Sequence, residues 1–152
     1  MEATSAKPEF EEGSQAEQDR RALQSMVEYL CTTTRADRCV ATLNAGSPGA
    51  LRASAGLAIQ GRSAEDPIAI LREQCLQSAK LIDCEDVISD KRLNAEACRG
   101  SGIGAFVAAP VTLNSQPRGV VEMHSAQAFN FMEYEIEVLQ RVADAIGALI
   151  CK

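Results

Sequence analysis

Tryptophan is missing from the 152 residues, and only two tyrosines, four phenylalanines and a single histidine are present. A chain so poor in rings has little with which to stack nucleic acid bases. Basic residues are also in deficit, fifteen Lys and Arg against twenty-one Asp and Glu, for a net charge of −6. A binder of the phosphate backbone needs a basic face that releases counterions, so nucleic acid is excluded as a partner. No long hydrophobic run occurs: the longest nearly apolar stretch is GIGAFVAAPV, Gly102 to Val111, whereas a bilayer span takes about 20 residues. The N-terminal MEATSAKPEF has no basic start followed by an apolar stretch, so it is not a secretory signal. With one histidine and no Cys-x-x-Cys, no zinc ligand set can be drawn from the sequence, and no metal is expected.

What is present is an ordinary soluble composition, 46% hydrophobic and 24% charged, in a length suited to one domain. These features predict a cytoplasmic chain with no membrane partner. In a reducing cytosol its six cysteines are expected to be free thiols, buried as free cysteines usually are.

Residues 1–14 are acidic and without periodicity, and read as a disordered lead-in; residues 15–152 read as a single domain. From Gln15 a helix is predicted, with Leu23, Met26, Val27 and Leu30 on one face. Arg38 to Leu43 reads as a strand, AGSPG (Ala45 to Gly49) as a turn, and Leu51 to Ile59 as a second, alternating strand. Asp66-Pro67 predicts a helix start, with Asp as N-cap, continued by Ile68, Leu71, Cys75 and Ala79. A short strand over Leu81 to Asp86 and a short helix from Asn94 to a left-handed cap at Gly100 follow. Ala105 to Leu113 and Arg118 to Ser125 read as strands joined through Asn114 to Pro117. Asn130 and Glu133 have the spacing of a capping box ahead of the stripe Ile136, Leu139, Val142, Ala143, Ile146, Leu149 and Ile150. The sum is an α+β domain with an antiparallel sheet. The apolar helix pattern runs to Ile150-Cys151-Lys152 without a C-cap, which predicts an excerpt of a larger signalling protein.

The last third, GIGAFVAAPV, RGVVEMHS (Arg118 to Ser125) and AFNFMEYEIEVLQRVADAIGALI (Ala128 to Ile150), resembles a GAF domain. These segments are similar to that family's strand ending in Val-Pro, its Gly-Val-Leu-Glu strand ending in Ser, and its Phe-Thr-x-x-Asp-x-x-x-Leu helix. AKLIDCEDVISDKRL (Ala79 to Leu93) is similar to the family's Gly-x-x-x-x-x-x-Asp segment, and the match runs in order from about Leu23 to Ile150. The resemblance implies a GAF/PAS-like antiparallel β-sheet with the terminal helices packed on one face and a pocket on the other. It implies a sensory or regulatory domain in signal transduction, binding a small molecule of unknown identity and forming a homodimer through its terminal helices. No Asn-Lys-x-x-Phe-Asp-Glu string occurs, which argues against cyclic nucleotides; His124 has no Cys neighbour, which argues against a bilin; and a lone histidine argues against haem. No cofactor is expected.

Glu122 and His124, two apart on one strand, point to the same face as Val120. With Phe106 and Ala108 of the preceding strand, and Asp86 and Asp90 of the EDVISD loop, they are the candidate ligand-binding residues. Their alternative is structural, as residues of a strand end and a solvated turn-making loop. Cys75, Cys84 and Cys98 flank the same region. The resemblance to the free methionine-(R)-sulfoxide reductase branch of the family makes Cys98 its candidate nucleophile and Cys75 its resolving thiol, with Arg99 beside Cys98 as a cation favouring the thiolate. That branch's Gly-x-Gly-Val-Cys-Gly motif is absent. A non-enzymatic ligand-binding domain is therefore the leading expectation, with a thiol reductase and a ligand-free dimerisation module as alternatives.

Overall fold

A computed structural model of the chain describes residues 3–57 and 66–150, and of residues 3–14 the backbone alone. The elements, in chain order, are α1 (Ala3–Thr33), β1 (Arg38–Leu43), β2 (Leu51–Gly56), α2 (Ala69–Ser78), β3 (Ile82–Cys84), α3 (Ala95–Arg99), β4 (Ala105–Leu113), β5 (Gln116–Ser125) and α4 (Glu133–Leu149). The backbone of α1 thus includes residues 3–14, which the sequence places ahead of the first helix. The five strands form one antiparallel sheet in the order β2-β1-β5-β4-β3. The two hairpins are joined by β1 against β5, with Ala41 opposite Val121.

Because side chains alternate across a strand, each strand divides its residues between two layers. On one face Cys39, Ala41 and Leu43 of β1, Val107, Ala109 and Val111 of β4, and Val121 and Met123 of β5 form a core. Leu23, Val27 and Leu30 of α1 and Leu139, Val142, Ala143 and Ile146 of α4 cover it. Each such side chain taken wholly out of water contributes about 1.5–3 kcal/mol, so this layer carries most of the burial energy. Leu149 lies outside it at 57% exposure, contrary to its place in the expected stripe, while its neighbour Ile150 still packs against the core. On the other face Ile68, Leu71, Cys75, Cys84, Val87, Cys98, Phe106, Ala108 and Val120 form a second, smaller core under α2 and α3.

Several boundaries differ from the sequence reading. The β4–β5 turn uses only Asn114 and Ser115, both with positive φ (54° and 65°), as a two-residue mirror-image turn does. Gln116 and Pro117 belong to β5 rather than to the loop. Pro117 is tolerated there because β1 ends at Leu43, opposite Gly119, and asks no N–H of it. β2 stops at Gly56; Ile59 lies outside the described residues. α2 begins at Ala69, not at Pro67: Asp66 Oδ1 accepts the Ile68 N–H at 3.3 Å and its carbonyl accepts that of Ala69 at 3.1 Å, a turn that precedes the helix. β3 is limited to the three residues that reach β4. Asn94 caps α3 as expected, accepting the Ala97 N–H at 3.2 Å, but Gly100 is right-handed and the positive φ falls on Gly102.

The start of α4 is set by tertiary contact. Asn130 donates to the Arg35 carbonyl and to Ser125 Oγ instead of capping, and the N-cap is Met132. Glu135, wholly buried, accepts the Met132 N–H at 2.7 Å, the Arg35 backbone N–H at 2.6 Å and the Arg35 guanidinium at 3.1 Å. One carboxylate thereby ties the end of α1 to the beginning of α4.

Candidate functional site

The face of the sheet away from the terminal helices carries Val120, Glu122 and His124 of β5 and Phe106 and Ala108 of β4. Phe106, Ala108 and Glu122 are no more than 1% exposed and His124 is 5% exposed. The structure therefore brings these four together, with the Phe106 and His124 ring centroids 5.5 Å apart. It sets them within a packed layer: Leu71 and Cys75 of α2 and Cys98 of α3 are buried in the cluster to which Phe106, Ala108 and Val120 belong.

A buried carboxylate must be paired or it costs several kcal/mol. Glu122 is paired on both oxygens. The Arg72 Nε–H donates to Oε2, and the Arg72 Nη2–H and His124 Nε2–H donate to Oε1 at 3.0 and 2.8 Å. His124 is the donor because an ionised carboxylate only accepts. Burial pushes the Glu122 carboxyl up, and the hydrogen bonds from His124 and Arg72 more than offset it, so the group is held below the usual carboxylate range. The third Arg72 nitrogen donates to Asp66 Oδ2 at 2.6 Å. Desolvation opposes the Arg72 charge, but its two carboxylate partners win and raise it.

Arg72 has no counterpart among the residues singled out from the sequence. Its partner lies fifty positions away, so spacing gave no sign of it. The legible hint was chemical: an acid beside Val120 on a covered strand face calls for a counter-ion from the element that covers it. Beside the pair opens a cavity of about 280 Å³ whose lining includes Thr42, Arg72, Leu76, Pro117, Arg118 and Val120.

Asp86 and Asp90 lie elsewhere. Asp86 shapes its own loop, accepting the Ile88 N–H and the Ser89 hydroxyl at 3.2 and 3.0 Å. Asp90 is held by Arg92, whose hydrogen bonds draw its carboxyl well below the ordinary value. Both line an acidic cleft of about 400 Å³ with Asp83, Glu85 and Phe129, and among the described residues no hydrogen bond links them to Glu122 or His124.

The three cysteines of the region are free and buried. Burial, reinforced by the Glu122 charge, pushes Cys75 up to about 12. Cys84 is likewise pushed up to about 12 by burial and by its hydrogen bond to Asp90. Cys98 is raised by burial and by Asp90. The charge acting on Cys98 is thus a carboxylate rather than the expected cation: Arg99 is turned to solvent and pairs with Glu96 at 3.6 Å. Low thiolate content is the opposite of what a nucleophilic cysteine needs. Among the described residues no cluster of His, Cys, Asp and Glu could hold a metal ion, and no helix is long and apolar enough to cross a membrane.

The family model for the GAF domain matches residues 20–150. Among solved structures, the type II free methionine-R-sulfoxide reductase of Thermoplasma acidophilum superposes with a TM-score of 0.67 at 18% identity, over 88% of this chain and 93% of that one. The GAF domain region of a Geobacter sulfurreducens protein gives a TM-score of 0.70 at 19% identity, over 86% and 91% of the two chains. The GAF domain of an Acinetobacter phosphoenolpyruvate-protein phosphotransferase gives 0.64 at 17%, over 88% and 82%. At these identities the likeness is one of fold. No curated protein sequence matches the chain.

Proposed function

The chain belongs to the GAF domain family, and from that premise we propose that it is a non-enzymatic sensory or regulatory domain binding a small molecule between α2 and the sheet, and that it forms a homodimer through α1 and α4. The observation that carries the ligand site is the cavity beside the Arg72–Glu122 pair, on the face opposite the terminal helices. Its lining contains two arginines against one glutamate, Glu73, which favours a ligand with a carboxylate or phosphate group. Such a ligand draws on the Arg72 guanidinium, 29% exposed, and so acts on the contact that holds α2 to β5. A ligand shifts a conformational balance only by its differential affinity for the two arrangements, and a charge shared between ligand and Glu122 supplies one.

The dimer rests on a largely apolar groove between α1 and α4, where Met26, Tyr29, Val138, Val142 and Ala145 line it beside Ser25 and Arg141, with Tyr29 57% exposed. Sedimentation at rising concentration should show a dimer that Tyr29→Asp converts to monomer; a monomer throughout would refute this half. For the ligand, saturation-transfer NMR against a panel of carboxylate- and phosphate-bearing metabolites should find binders that Arg72→Met loses. If none binds, a second reading takes over: a structural dimerisation module. Its support is the second core, which fills most of the space under α2 with side chains. Reduction of free methionine-R-sulfoxide is not proposed, because Cys75, Cys84 and Cys98 are buried and raised. Turnover in a thioredoxin-coupled assay that Cys98→Ser abolishes would overturn that judgement.

A further inference from the structure

Two further thiols lie on the opposite side of the sheet from the three just described. Cys31 lies near the C-terminal end of α1 and Cys39 is the second residue of β1, so the short turn between the two elements brings them back on each other. The Cys31 side chain packs against the core cluster that contains Cys39, and its presence there raises the Cys39 thiol further. The Cys31 Sγ–H also points inward to the Ala36 carbonyl at 3.7 Å, over the turn rather than out along the helix. Room for it comes from Gly56, paired with Arg38 at the end of β2: a Cβ there would stand 2.7 Å from Cys31 Sγ. Gly56 also has φ +93°, a conformation that favours glycine, so the space beside the sulfur is built into the backbone. The two cysteines differ in access, since Cys31 is partly exposed and Cys39 wholly buried. By contrast, the carboxylates Glu122 and Asp90 act against the thiolates of Cys75, Cys84 and Cys98, with Arg92 opposing only at Cys84.

We propose that Cys31 and Cys39 are a reversible disulfide pair, a modification site that fastens the end of α1 to the central sheet. The oxidant is a low-molecular-weight disulfide such as glutathione disulfide. Cys31 loses its proton to solvent, and its thiolate attacks one glutathione sulfur; the S–S bond of the oxidant breaks and one glutathione thiolate leaves. Cys39, deprotonated in turn, attacks the Cys31 sulfur of the mixed disulfide and releases the second glutathione. Two protein thiols are oxidised and one glutathione disulfide is reduced to two glutathione molecules. Exchange begins at Cys31 because it is the reachable thiol. It finishes slowly, because burial and the neighbouring Cys31 raise Cys39 and keep its thiolate scarce. Once closed, the bond holds the last turn of α1, including the helix face that carries Tyr29, in one position against β1. The pair stands independently of what occupies the cavity over Glu122.

The test uses the full 152-residue chain, equilibrated in glutathione buffers of increasing oxidised fraction, alkylated and digested with trypsin. Cleavage at Arg21, Arg35, Arg38 and Arg52 puts Cys31 in peptide 22–35 and Cys39 in peptide 39–52. The expected result is a linked pair of these two peptides that dithiothreitol separates and that Cys31→Ser and Cys39→Ala each abolish. A glutathionylated Cys31 should appear before it, and the oxidised wild type should melt at a higher temperature than the reduced one. Should Cys39→Ala fail to fold, Cys31→Ser decides alone. The proposal is overturned if both peptides are recovered unlinked at full oxidation, if Cys31 stays glutathionylated, if either thiol pairs instead with Cys75, Cys84, Cys98 or Cys151, or if Cys31 links two chains.

Discussion

Replacing Arg72 by Met keeps the length and apolar stem of the side chain and removes the charge that neutralises Glu122. The carboxylate left behind is 1% exposed and retains only the His124 hydrogen bond at 2.8 Å. Breaking a buried ion pair from one side costs about 3–5 kcal/mol. Here Arg72 is 29% exposed and the adjoining cavity admits water, so the lower end applies, about 3 kcal/mol at neutral pH. For a domain whose whole stability is of order 5–15 kcal/mol that is a large fraction. With a urea dependence of about 1–3 kcal/mol/M, the unfolding midpoint should fall by roughly 1–3 M.

The pH dependence supplies the sharper check. In the wild type Glu122 is lowered in the folded state, so its contribution is fully present above the unfolded carboxyl value of 4.5 and is lost as pH falls through the folded one. In the Arg72→Met chain only the His124 hydrogen bond still opposes burial, and the folded value rises relative to the wild type. The destabilisation is then greatest at neutral pH and relaxes as Glu122 takes up a proton. Urea titrations followed by circular dichroism between pH 4 and 7 should therefore show the gap between the two chains narrowing on acidification. Arg72→Met combined with Glu122→Gln removes the stranded charge and should recover most of the loss at pH 7. A loss under about 1 kcal/mol that does not change with pH would mean the pair is screened like a surface ion pair, and the reasoning would fail.

Gly147→Ala should destabilise although alanine is the better helix former, because its Cβ would sit 2.6 Å from the Thr112 carbonyl oxygen and push α4 off β4; a lowered urea midpoint is expected and a raised one refutes the contact. Glu135→Ala leaves the Met132 and Arg35 N–H groups without their acceptor and should lower the melting temperature by about 2–4 °C, the effect of a lost cap of about 1 kcal/mol. With Cys75 and Cys84 pushed up to about 12, alkylation of the native protein at pH 8 should leave both unmodified long after Cys31 has reacted, and denaturant should abolish the difference.

Elements whose sidedness is set locally were legible in the sequence. β1 and β4 fall where the apolar residues put them: β1 alternates, turning Cys39, Ala41 and Leu43 to the core, and β4, buried on both faces, is a continuous apolar run. The element ends were less legible, because contacts from far along the chain decide them. Asn130 has the right spacing for a cap, yet Glu135, committed to Arg35 one hundred positions earlier, moves the helix start to Met132. The shared face of Glu122 and His124 with Phe106 and Ala108 followed from strand periodicity. That the face would be closed by an arginine did not, since Arg72 lies next to the apolar stripe of α2 and reads as a solvated position. The cysteines show the same limit: Cys75, Cys84 and Cys98 drew notice by their place in the resemblance, whereas the packing of Cys31 against the cluster that holds Cys39 depends on the missing Cβ of Gly56.

The two faces of the sheet should differ in how readily they open. α4 buries Leu139, Val142, Ala143 and Ile146 against the larger core and is pinned at its start by Glu135. α2 fully buries only Leu71 and Cys75 along its length, and its remaining hold on the sheet is the partial packing of Leu76 and the ion pair of Arg72 with Glu122. Apolar burial at about 25 cal/mol per Å² scales with the area covered, while a paired charge gives back on opening much of what it gained, because water resolvates both partners. Sub-global opening therefore begins with α2, at a free energy below that of the whole domain. Hydrogen exchange should find the amides of Leu71 to Ser78 less protected than those of Leu139 to Ile146, and Arg72→Met should widen that difference without touching α4. Equal protection in the two helices, or an Arg72→Met effect spread evenly over both, would mean that α2 opens only with the domain as a whole, and that the Arg72–Glu122 contact is no independent hinge between the cavity and the sheet.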